Sequence, residues 1–358
     1  MKIFRNFDWV LLLLTLGIGS FGLIILKSIV PELFFQQLLW FGLSLILFFI
    51  FSQINYQSYR HLTWIFYLFS VGFLILTLIF GQVSRGSARW FGVGEARLQP
   101  SEIVKPLLIL FFAAFFSQEE NLSLKRALYS LLLMIIPVSL IFLEPDLGSS
   151  LVVIAFWLGM ILAKGIKAEW LIGAFTFCLL FFPLAWHFLK DYQKQRIYTF
   201  LNPQMDPLNS GFNVIQSMIA VGSGQFLGRG LGRGTQSHLR FLPERHTDFI
   251  FASLSEEMGF LGTFLLLALF FFLLWRLLNL AKNASDQFAS LIYIGVFSLL
   301  FCQIIINLGM NIGILPVTGI TLPLVSYGRS SLTAIIVTLG IAAGINRGRE
   351  DKQMVEIR

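Results

Sequence analysis

Charged side chains are scarce in this chain. Only 13% of its 358 residues are Asp, Glu, Lys or Arg, whereas 56% are hydrophobic and 39 are Phe. Soluble globular domains carry about 25% charged residues, so an ordinary soluble protein is excluded. Apolar runs of about 17–25 residues, the length that crosses a bilayer, recur along the whole sequence. We therefore expect an all-α polytopic membrane protein with no separate soluble domain.

Cysteine and histidine are scarce as well, and their spacing predicts no redox or metal centre. Cys178 and Cys302 lie in apolar runs without CxxC spacing, which favours small buried side chains. The four histidines lack metal-ligand spacing, and among them His246 neighbours Asp248. The net charge of +7 is common in membrane proteins that face anionic lipid. Because the basic residues are divided between two faces, we expect no nucleic-acid partner.

About ten membrane spans are predicted, with a large loop between the seventh and the eighth. The spans lie near residues 9–29, 34–53, 62–81, 102–117, 126–144, 148–164, 169–188, 258–280, 288–312 and 328–346. We treat residues 1–358 as a single transmembrane domain, and residues 189–257 as the large extracytoplasmic loop within it.

The distribution of Lys and Arg in the loops predicts the orientation. Short loops rich in these residues stay in the cytoplasm, and such loops lie on the side that carries both termini. Both termini are therefore expected in the cytoplasm. The 82–101 loop on the other face is also short, yet it contains Arg85, Arg89 and Arg97. We interpret these arginines as part of a site for an anionic ligand on the outer face.

Four segments on the predicted outer side break the hydrophobic pattern. In residues 85–105, Glu102 and Lys105 are three residues apart and lie on one face of a helix. They form either a local ion pair or a buried polar pair that reaches into a cavity. In residues 144–148, Asp146 either caps the following helix or belongs to a site.

The other two segments are rich in glycine or proline. Residues 222–236 are either a flexible loop or a cradle for phosphate, and they are not a Walker loop because no Gly-Lys-Ser/Thr follows. Residues 316–331 contain two prolines and two glycines in a mostly apolar run. This composition predicts non-helical backbone that lines a cavity or is packed in protein.

Asp248 is the most informative single residue. It lies where a polar loop runs into a long apolar helix, and carboxylates beside membrane-depth sequence usually serve a site. A helix start favours the ionised carboxylate, which suits a base. The alternative is a helix-terminal residue without chemistry. For Glu256 and Glu257, an ion-paired or solvated role is favoured.

These segments, in this order, resemble the SEDS family of membrane proteins (shape, elongation, division and sporulation) over nearly the whole chain. The matching pieces are residues 99–102 with Lys105, 144–148, 228–236, 242–257 and 315–328. The short N terminus and His246-Thr-Asp-Phe-Ile-Phe251 resemble the RodA branch more than the FtsW branch. Arg329 stands where the family usually has Gly, and Gly211-Phe-Asn-Val replaces a more usual Gly-Tyr-Gln. Arg329 either changes the loop backbone or adds a phosphate contact.

The resemblance implies a peptidoglycan glycosyltransferase that polymerises lipid II at the outer face of the bacterial cytoplasmic membrane during cell elongation. Asp248 would be the catalytic general base. By the same resemblance, the polar core contains Glu102, Lys105, Asp146 and Ser326. The candidates for stabilising the leaving diphosphate are Arg85, Arg89, Lys105, Arg196, Arg229 and Arg245.

The implied partners are lipid II, a class B penicillin-binding transpeptidase and other membrane proteins of an elongation complex. A divalent cation, Mg²⁺ or Mn²⁺, is compatible with a diphosphate ligand, although no metal-ligand spacing is readable. Two alternatives stay open: a transporter that flips lipid II, and a non-catalytic scaffold for morphogenesis.

Overall fold

The computed structural model describes residues 7–345 apart from 85–86, 92–97, 168, 171, 174–175, 177–179, 181–185, 188–190 and 206–209. The described residues are mainly helical. The helices are α1 (Trp9–Ile29), α2 (Pro31–Gln53), α3 (Tyr56–His61), α4 (Thr63–Phe80), α5 (Pro100–Phe116), α6 (Leu124–Leu143), α7 (Leu147–Ala163), α8 (Asp191–Leu201), α9 (Ser210–Ser223), α10 (Thr235–His238), α11 (Ile250–Lys282), α12 (Gln287–Asn311) and α13 (Arg329–Ile345).

Two short strands, β1 (Gln82–Ser84) and β2 (Ser87–Trp90), form an antiparallel hairpin between α4 and α5. A single turn of 3₁₀ helix, Pro203–Met205, follows α8. The all-α architecture is confirmed for the bundle, and the hairpin is a small addition that the sequence pattern did not predict.

Six helices among the described residues are long and apolar enough to cross a membrane: α1, α2, α4, α6, α11 and α12. Helices α7 and α13 are shorter and apolar, and α5 has 17 residues. Each predicted span except 169–188 overlaps one of these helices, and much of that span lies outside the described residues. The polytopic membrane architecture is confirmed, whereas the count of ten spans stays a prediction.

Short acidic side chains determine where several helices begin. Asp8 Oδ1 accepts a hydrogen bond from Leu11 N (3.1 Å) at the start of α1, and Asp286 Oδ1 accepts one from Ala289 N (2.8 Å) at the start of α12. Each bond satisfies one of the N–H groups that the first turn of a helix leaves open.

Helix α5 is the buried centre of the bundle. Nearly all its residues are buried, and it packs against α4, α7, α12 and α13. Helix α13 also lies directly on α2, because an ideal Cβ on Gly340 or Gly344 would come within 2.7 Å of the Phe48 or Ser52 carbonyl oxygen. Small residues let membrane helices meet at the backbone in this way.

The segment predicted as a large loop contains helices among its described residues. It contains α8, α9 and α10 and the first turns of α11, and α9 packs against α11 and α12. Helix α11 is broken at Gly259, whose φ of 65° and ψ of −163° are not helical. The part after the break coincides with the predicted span 258–280. The part before the break, residues 250–258, directly follows the polar loop.

Residues 316–328 contain no helix or strand and are largely buried. The prediction of non-helical backbone packed in protein is therefore confirmed for these residues, whereas residues 329–331, which the prediction included, belong to the first turn of α13. Backbone of this kind places unpaired polar groups inside the protein, so its carbonyl groups need partners from neighbouring elements. The partners that it finds define the candidate site.

Candidate functional site

Asp248 lies half-buried in the turn before α11. Its backbone carbonyl accepts hydrogen bonds from Asn307 Nδ2 and Asn311 Nδ2, both at 3.0 Å. An ideal Cβ on Gly319 would lie 3.7 Å from Asp248 Oδ2, so the carboxylate faces the Gly319 backbone. The predicted position of Asp248 at a helix start is confirmed.

Asp146 is the cap of α7 and also the centre of a polar cluster. Its Oδ1 accepts a hydrogen bond from Ser149 N (3.1 Å), as the capping interpretation requires. Its Oδ2 accepts hydrogen bonds from Gln99 Nε2 (2.9 Å) and Ser101 Oγ (3.0 Å) at the start of α5. One buried carboxylate therefore joins the ends of two helices.

Glu102 and Lys105 form the predicted pair on α5, with Lys105 Nζ 2.6 Å from Glu102 Oε1. Glu102 is 7% exposed and Lys105 is 2% exposed. The pair is therefore not a solvated surface ion pair, and the interpretation as a buried polar pair is the one that fits. A buried pair recovers the energy of leaving water through close geometry and further hydrogen bonds. The short contact provides the first, whereas Glu102 Oε2 has no hydrogen-bond partner among the described residues.

Charges around the turn between α6 and α7 affect its two acids in opposite ways. Burial opposes ionisation of Asp146, but Arg89, Lys105 and the hydrogen bonds from Ser149 outweigh it and hold the pKa of Asp146 below its usual range. Burial raises the pKa of Glu144 to about 8; the Asp146 charge adds to this rise and Arg89 opposes it. Such a divergence between neighbouring carboxyl groups is characteristic of functional sites.

Residues 316–328 connect the Asp146 cluster with Asp248. Gly148, in the first turn of α7, touches this segment so closely that an added Cβ would lie 2.5 Å from Ile320 Cγ1 and 3.3 Å from the Thr318 carbonyl oxygen. Arg196 Nη1 donates to that same Thr318 oxygen (3.1 Å). Gly319, the next residue, is the one that faces Asp248.

Ser326 holds the other end of this segment against the Asp248 turn. Its Oγ donates to the Thr247 carbonyl oxygen (2.7 Å) and accepts from Leu322 N (2.8 Å). Tyr327 N donates to the His246 carbonyl oxygen (2.8 Å). Of the predicted residues, Ser326 belongs to the segment that Asp248 faces and Arg196 binds it, while Asp146 lies two residues before Gly148, which touches it.

The remaining predicted basic residues lie in different places. Arg89 Nε donates to the Glu144 carbonyl oxygen (2.9 Å), beside Asp146. Arg245 is half-buried, and both its burial and the neighbouring Arg240 charge lower its pKa. Arg229 is exposed, with Nε 3.4 Å from the Ser223 carbonyl oxygen. Arg85 and Arg97 lie outside the described residues.

Arg329 begins α13 with ordinary backbone, since it is not among the residues of positive φ. Its guanidinium lies 5.9 Å from the centre of the Trp40 ring on α2, a distance that allows a cation–π contact. The structure therefore shows no unusual backbone at Arg329. The alternative, an added phosphate contact, stays a prediction.

The Gly-rich segment binds carboxylates of this chain. Glu256 is 0% exposed, and its oxygens accept hydrogen bonds from Thr235 Oγ1, Gln236 N, Ser237 N and Ser237 Oγ at 2.7–3.2 Å. Glu257 Oε1 lies 2.8 Å from His238 Nε2. Both acids are thus buried and hydrogen-bonded rather than solvated.

The backbone of the Gly-rich segment closes the break in α11. Arg229 N and Gly230 N donate to the Glu256 and Glu257 carbonyl oxygens, both at 3.0 Å. These N–H groups already donate hydrogen bonds within the chain. This part of the segment therefore has a structural role rather than that of a phosphate-binding loop.

An apolar cavity of about 300 Å³ lies on the other side of α5 from the polar cluster. Ile103, Pro106, Leu107 and Leu110 line one wall, spaced as one face of a helix. Helices α2, α3, α4 and α13 supply the remaining walls. Ser330 belongs to both regions, because it lines the cavity and its Oγ accepts a hydrogen bond from Gln99 N (2.9 Å).

Sequence reasoning missed Gln99, Asn307 and Asn311 as parts of the site. The last two had a readable signal, since they are amides four residues apart on the apolar α12, one helical turn from each other. Among the described residues, no group of three or more His, Cys, Asp or Glu side chains is placed to hold a metal ion.

Comparison with known proteins gives consistent matches over the length of the chain. A family model described as "Cell cycle protein" (FtsW, RodA, SpoVE) matches residues 12–351. Peptidoglycan glycosyltransferase MrdB of Escherichia coli K12 is 40% identical over 313 residues, which cover 86% of this chain and 84% of that protein.

Solved structures match as well. A chain of a peptidoglycan synthase complex, described by its structural coordination of polymerization and crosslinking, superposes with a TM-score of 0.85 at 35% identity. The match covers 96% of this chain and 99% of that one. The rod shape determining protein RodA of Thermus thermophilus superposes with a TM-score of 0.73 at 29% identity, covering 96% and 98%. The chain belongs to the FtsW/RodA/SpoVE family of cell cycle proteins.

Proposed function

We propose that this chain is a peptidoglycan glycosyltransferase that polymerises lipid II in the bacterial cytoplasmic membrane, with Asp248 as the general base. One observation carries the proposal: the half-buried Asp248 carboxylate faces the same segment, residues 316–328, that contacts the start of α7 beside Asp146 and the Arg196 guanidinium. Relatives that bear the name peptidoglycan glycosyltransferase, such as MrdB, support the same reaction class.

In the proposed reaction, the 4-hydroxyl of the acceptor GlcNAc attacks C1 of the donor MurNAc. Asp248 takes the hydroxyl proton as the new C1–O bond forms. The bond from C1 to the diphosphate oxygen breaks, its electron pair leaves with undecaprenyl diphosphate, and the anomeric centre is inverted. A positioned base of this kind contributes about 10²–10⁴-fold to a rate.

Negative charge develops on the diphosphate as it leaves, and cations that are already held in place stabilise this charge most effectively. Arg89 and Lys105 lie at the Asp146 cluster, and Arg196 is held at the Thr318 carbonyl. We assign the diphosphate to this region. Arg245 and Arg329 are further candidates from the far side of the Asp248 turn, since Tyr327 joins that turn to the start of α13.

The apolar cavity suits the lipid part of the substrate. It is lined by hydrophobic and aromatic side chains and adjoins the polar cluster through Ser330 and Leu98. An amphipathic substrate needs such a pair of regions, one for a charged head and one for a hydrocarbon tail. This arrangement favours a lipid-linked sugar over a soluble donor.

The proposed orientation follows from the loop charges, with both termini in the cytoplasm and the 189–257 segment outside it. The site residues lie at the helix ends that meet this segment, which supports a reaction on the outer face. We further propose cell elongation as the setting, with a class B penicillin-binding transpeptidase and other elongation-complex membrane proteins as partners. A relative solved in a complex that coordinates polymerization with crosslinking supports such a partner.

The decisive experiment compares purified wild-type protein, Asp248→Asn and Asp286→Asn with lipid II, in the presence and absence of the transpeptidase. Asp286 is a matched control, because it caps the N-terminal end of α12, whereas Asp248 lies near the C-terminal end. Asn caps helices as Asp does. We expect polymer formation to fall by about 10²–10⁴-fold in Asp248→Asn. The control should stay within about threefold of wild type. Equal polymer from wild type and Asp248→Asn would falsify the base assignment.

The two alternatives predict other outcomes for Asp248→Ala. A flippase predicts intact polymerisation by the purified variant but loss of lipid II transport. A scaffold predicts normal cell shape when the variant is expressed at the wild-type level. Loss of both polymer formation and cell shape supports the glycosyltransferase against each of them.

A further inference from the structure

Three buried amide side chains follow one face of α12 toward its C-terminal end. Gln303, Asn307 and Asn311 are each four residues apart, so they lie above one another on the helix. Gln303 is 1% exposed, and the other two are 0% exposed. Buried polar groups in a membrane helix are costly unless they are hydrogen-bonded, so their partners indicate why they are there.

Asn307 and Asn311 donate to the same acceptor, the backbone carbonyl of Asp248, from Nδ2 at 3.0 Å in both cases. A carboxamide nitrogen carries two hydrogens. The second hydrogen bond of Asn307 goes to the Ile320 carbonyl oxygen (2.8 Å), and that of Asn311 goes to the Asn307 carbonyl oxygen (2.8 Å). The Asp248 peptide is thus fixed to α12 by two donors on rigid backbone.

Asn311 also holds the helix that begins after Asp248. Its Oδ1 accepts a hydrogen bond from Ala252 N (3.1 Å) in the first turn of α11. Phe249, the cap residue of α11, provides no side-chain cap, so Asn311 supplies one from another helix. Ser217 Oγ on α9 donates to the Asn311 carbonyl oxygen (2.8 Å). Three elements therefore meet around the Asp248 turn.

We propose that Asn307 and Asn311 are positioning residues for Asp248 in glycosyl transfer. This inference rests on the proposed function, in which Asp248 is the general base. Neither amide is required to touch substrate, because both act through the peptide of Asp248. Fixing that peptide fixes the direction in which the Asp248 side chain leaves the backbone. A misplacement of about 1 Å at a reacting group costs on the order of 10²-fold in rate.

The convergence of the hydrogen bonds distinguishes positioning from general stabilisation. A link that only stabilised the fold could use any carbonyl of the turn, whereas both amides meet on Asp248. Asn307 adds Ile320 to the same connection, and Ile320 follows Gly319, which faces the Asp248 carboxylate. The backbone of the proposed base and the surface opposite its carboxylate are therefore held by one side chain.

The test uses the full-length protein with lipid II and the variants Asn307→Leu and Asn311→Leu. Leucine has nearly the shape of asparagine but no donor. We expect kcat to fall by about 10–100-fold while KM for lipid II stays within about threefold, because the substrate contacts are unchanged. Gln303→Leu is the matched control on the same buried face, since Gln303 Oε1 has no hydrogen-bond partner among the described residues. Its kcat should stay within about threefold of wild type.

Folding is followed by the Tm of each purified variant. Asn311→Leu should lower Tm as well as kcat, because it also removes the cap of α11. If Asn307→Leu does not fold, Asn311→Leu is read in its place by the same criteria. Loss of folding in both leucine variants, with Gln303→Leu folded, overturns the inference, because the amides would then serve the fold rather than the reaction.

Asp248→Asn is measured in parallel to separate this inference from the proposed function. Wild-type kcat in both leucine variants, together with an inactive Asp248→Asn, overturns the positioning role alone. An active Asp248→Asn overturns the assignment of Asp248 as general base, and the positioning role with it, whatever the leucine variants do. A fall in kcat at constant KM with an inactive Asp248→Asn supports both.

Discussion

Glu144 is a carboxylic acid held where water does not reach. Its side chain is 0% exposed, and neither oxygen has a hydrogen-bond partner among the described residues. Burial, and next the charge of Asp146, raise its pKa to about 8 against the opposing effect of Arg89. At neutral pH the neutral acid therefore predominates, which spares the fold a second negative charge beside Asp146.

Glu144→Gln is expected to make stability less dependent on pH. The pKa of Glu144 is about 8 in the folded chain and about 4.3 when unfolded. Its stabilising contribution is therefore complete below about pH 4 and is lost as pH rises through 8. Glutamine does not titrate, so the Tm of the variant relative to wild type should rise by at least about 2 °C between pH 5 and pH 9.

Thermal unfolding in detergent at the two pH values measures this difference. Asp286→Asn, at the other end of the bundle, controls for the loss of an acidic group. A Tm difference between Glu144→Gln and wild type that stays constant or falls toward pH 9 contradicts the raised pKa.

At the scale of single elements, two neighbouring acids with unequal surroundings lie just before the break in α11. Glu256 accepts hydrogen bonds at both oxygens. Glu257 accepts them at Oε1, while its Oε2 has no partner among the described residues. Both acids hold the Gly-rich segment over Gly259, where the helix is interrupted. The two side chains should therefore respond differently to the same substitution.

Glu256→Gln should destabilise the protein more than Glu257→Gln. An amide at position 256 turns an N–H₂ group toward donors, which costs about 1–3 kcal/mol. At position 257 the amide nitrogen can occupy the place of the unpartnered oxygen while the carbonyl still accepts from His238. Urea or thermal unfolding gives the two differences in stability, and limited proteolysis of residues 224–240 reports release of the segment. Equal losses in both variants would show that the difference in hydrogen bonding has no consequence.

These elements also show what sequence could and could not predict. Apolar runs located α1, α2 and most other spanning helices to within a few residues, because a membrane span requires little beyond length and hydrophobicity. The exception is α11, which begins at Ile250, before its predicted span 258–280. The Glu102–Lys105 pair and the Asp146 cap were predictable, since both depend on spacing within a few residues.

The contacts that complete the site connect distant parts of the chain. The bonds from Asn307 and Asn311 to Asp248 span 59 and 63 residues, and no local pattern encodes them. Glu256 likewise binds a segment 19–21 residues away, so its burial could not be read from its position beside a polar loop. Just after the break at Gly259, Phe260 N and Leu261 N donate to the Gln225 and Phe226 carbonyl oxygens, which are also distant in sequence.

At the scale of the whole molecule, α5 separates two different environments. Glu102 and Lys105 turn toward the Asp146 cluster, whereas Ile103, Pro106 and Leu107 line the apolar cavity. The helix is buried on all sides because other helices complete both regions. A charged head and a hydrocarbon tail can therefore be held on two faces of one helix.

Filling the cavity should weaken binding of a lipid-linked substrate without removing the catalytic group. Ala334 on α13 is 8% exposed and lines the cavity of about 300 Å³. Leucine at this position would exclude two or three methylene groups of a bound tail, each worth about 0.8 kcal/mol. We therefore expect KM for lipid II to rise about 15–60-fold in Ala334→Leu. Tm should be unchanged or higher, because the new side chain enters empty space.

Lipid II with a shortened prenyl chain provides the matched comparison for Ala334→Leu. A substrate whose prenyl chain is too short to enter the cavity does not reach the new leucine, and its KM should be nearly equal for variant and wild type. An equal rise in KM for both substrates would place the effect at the neighbouring polar cluster, which Ser330 joins to the cavity wall. An unchanged KM for the long-chain substrate would remove the tail from this cavity, because the leucine would then occupy space that the substrate does not use.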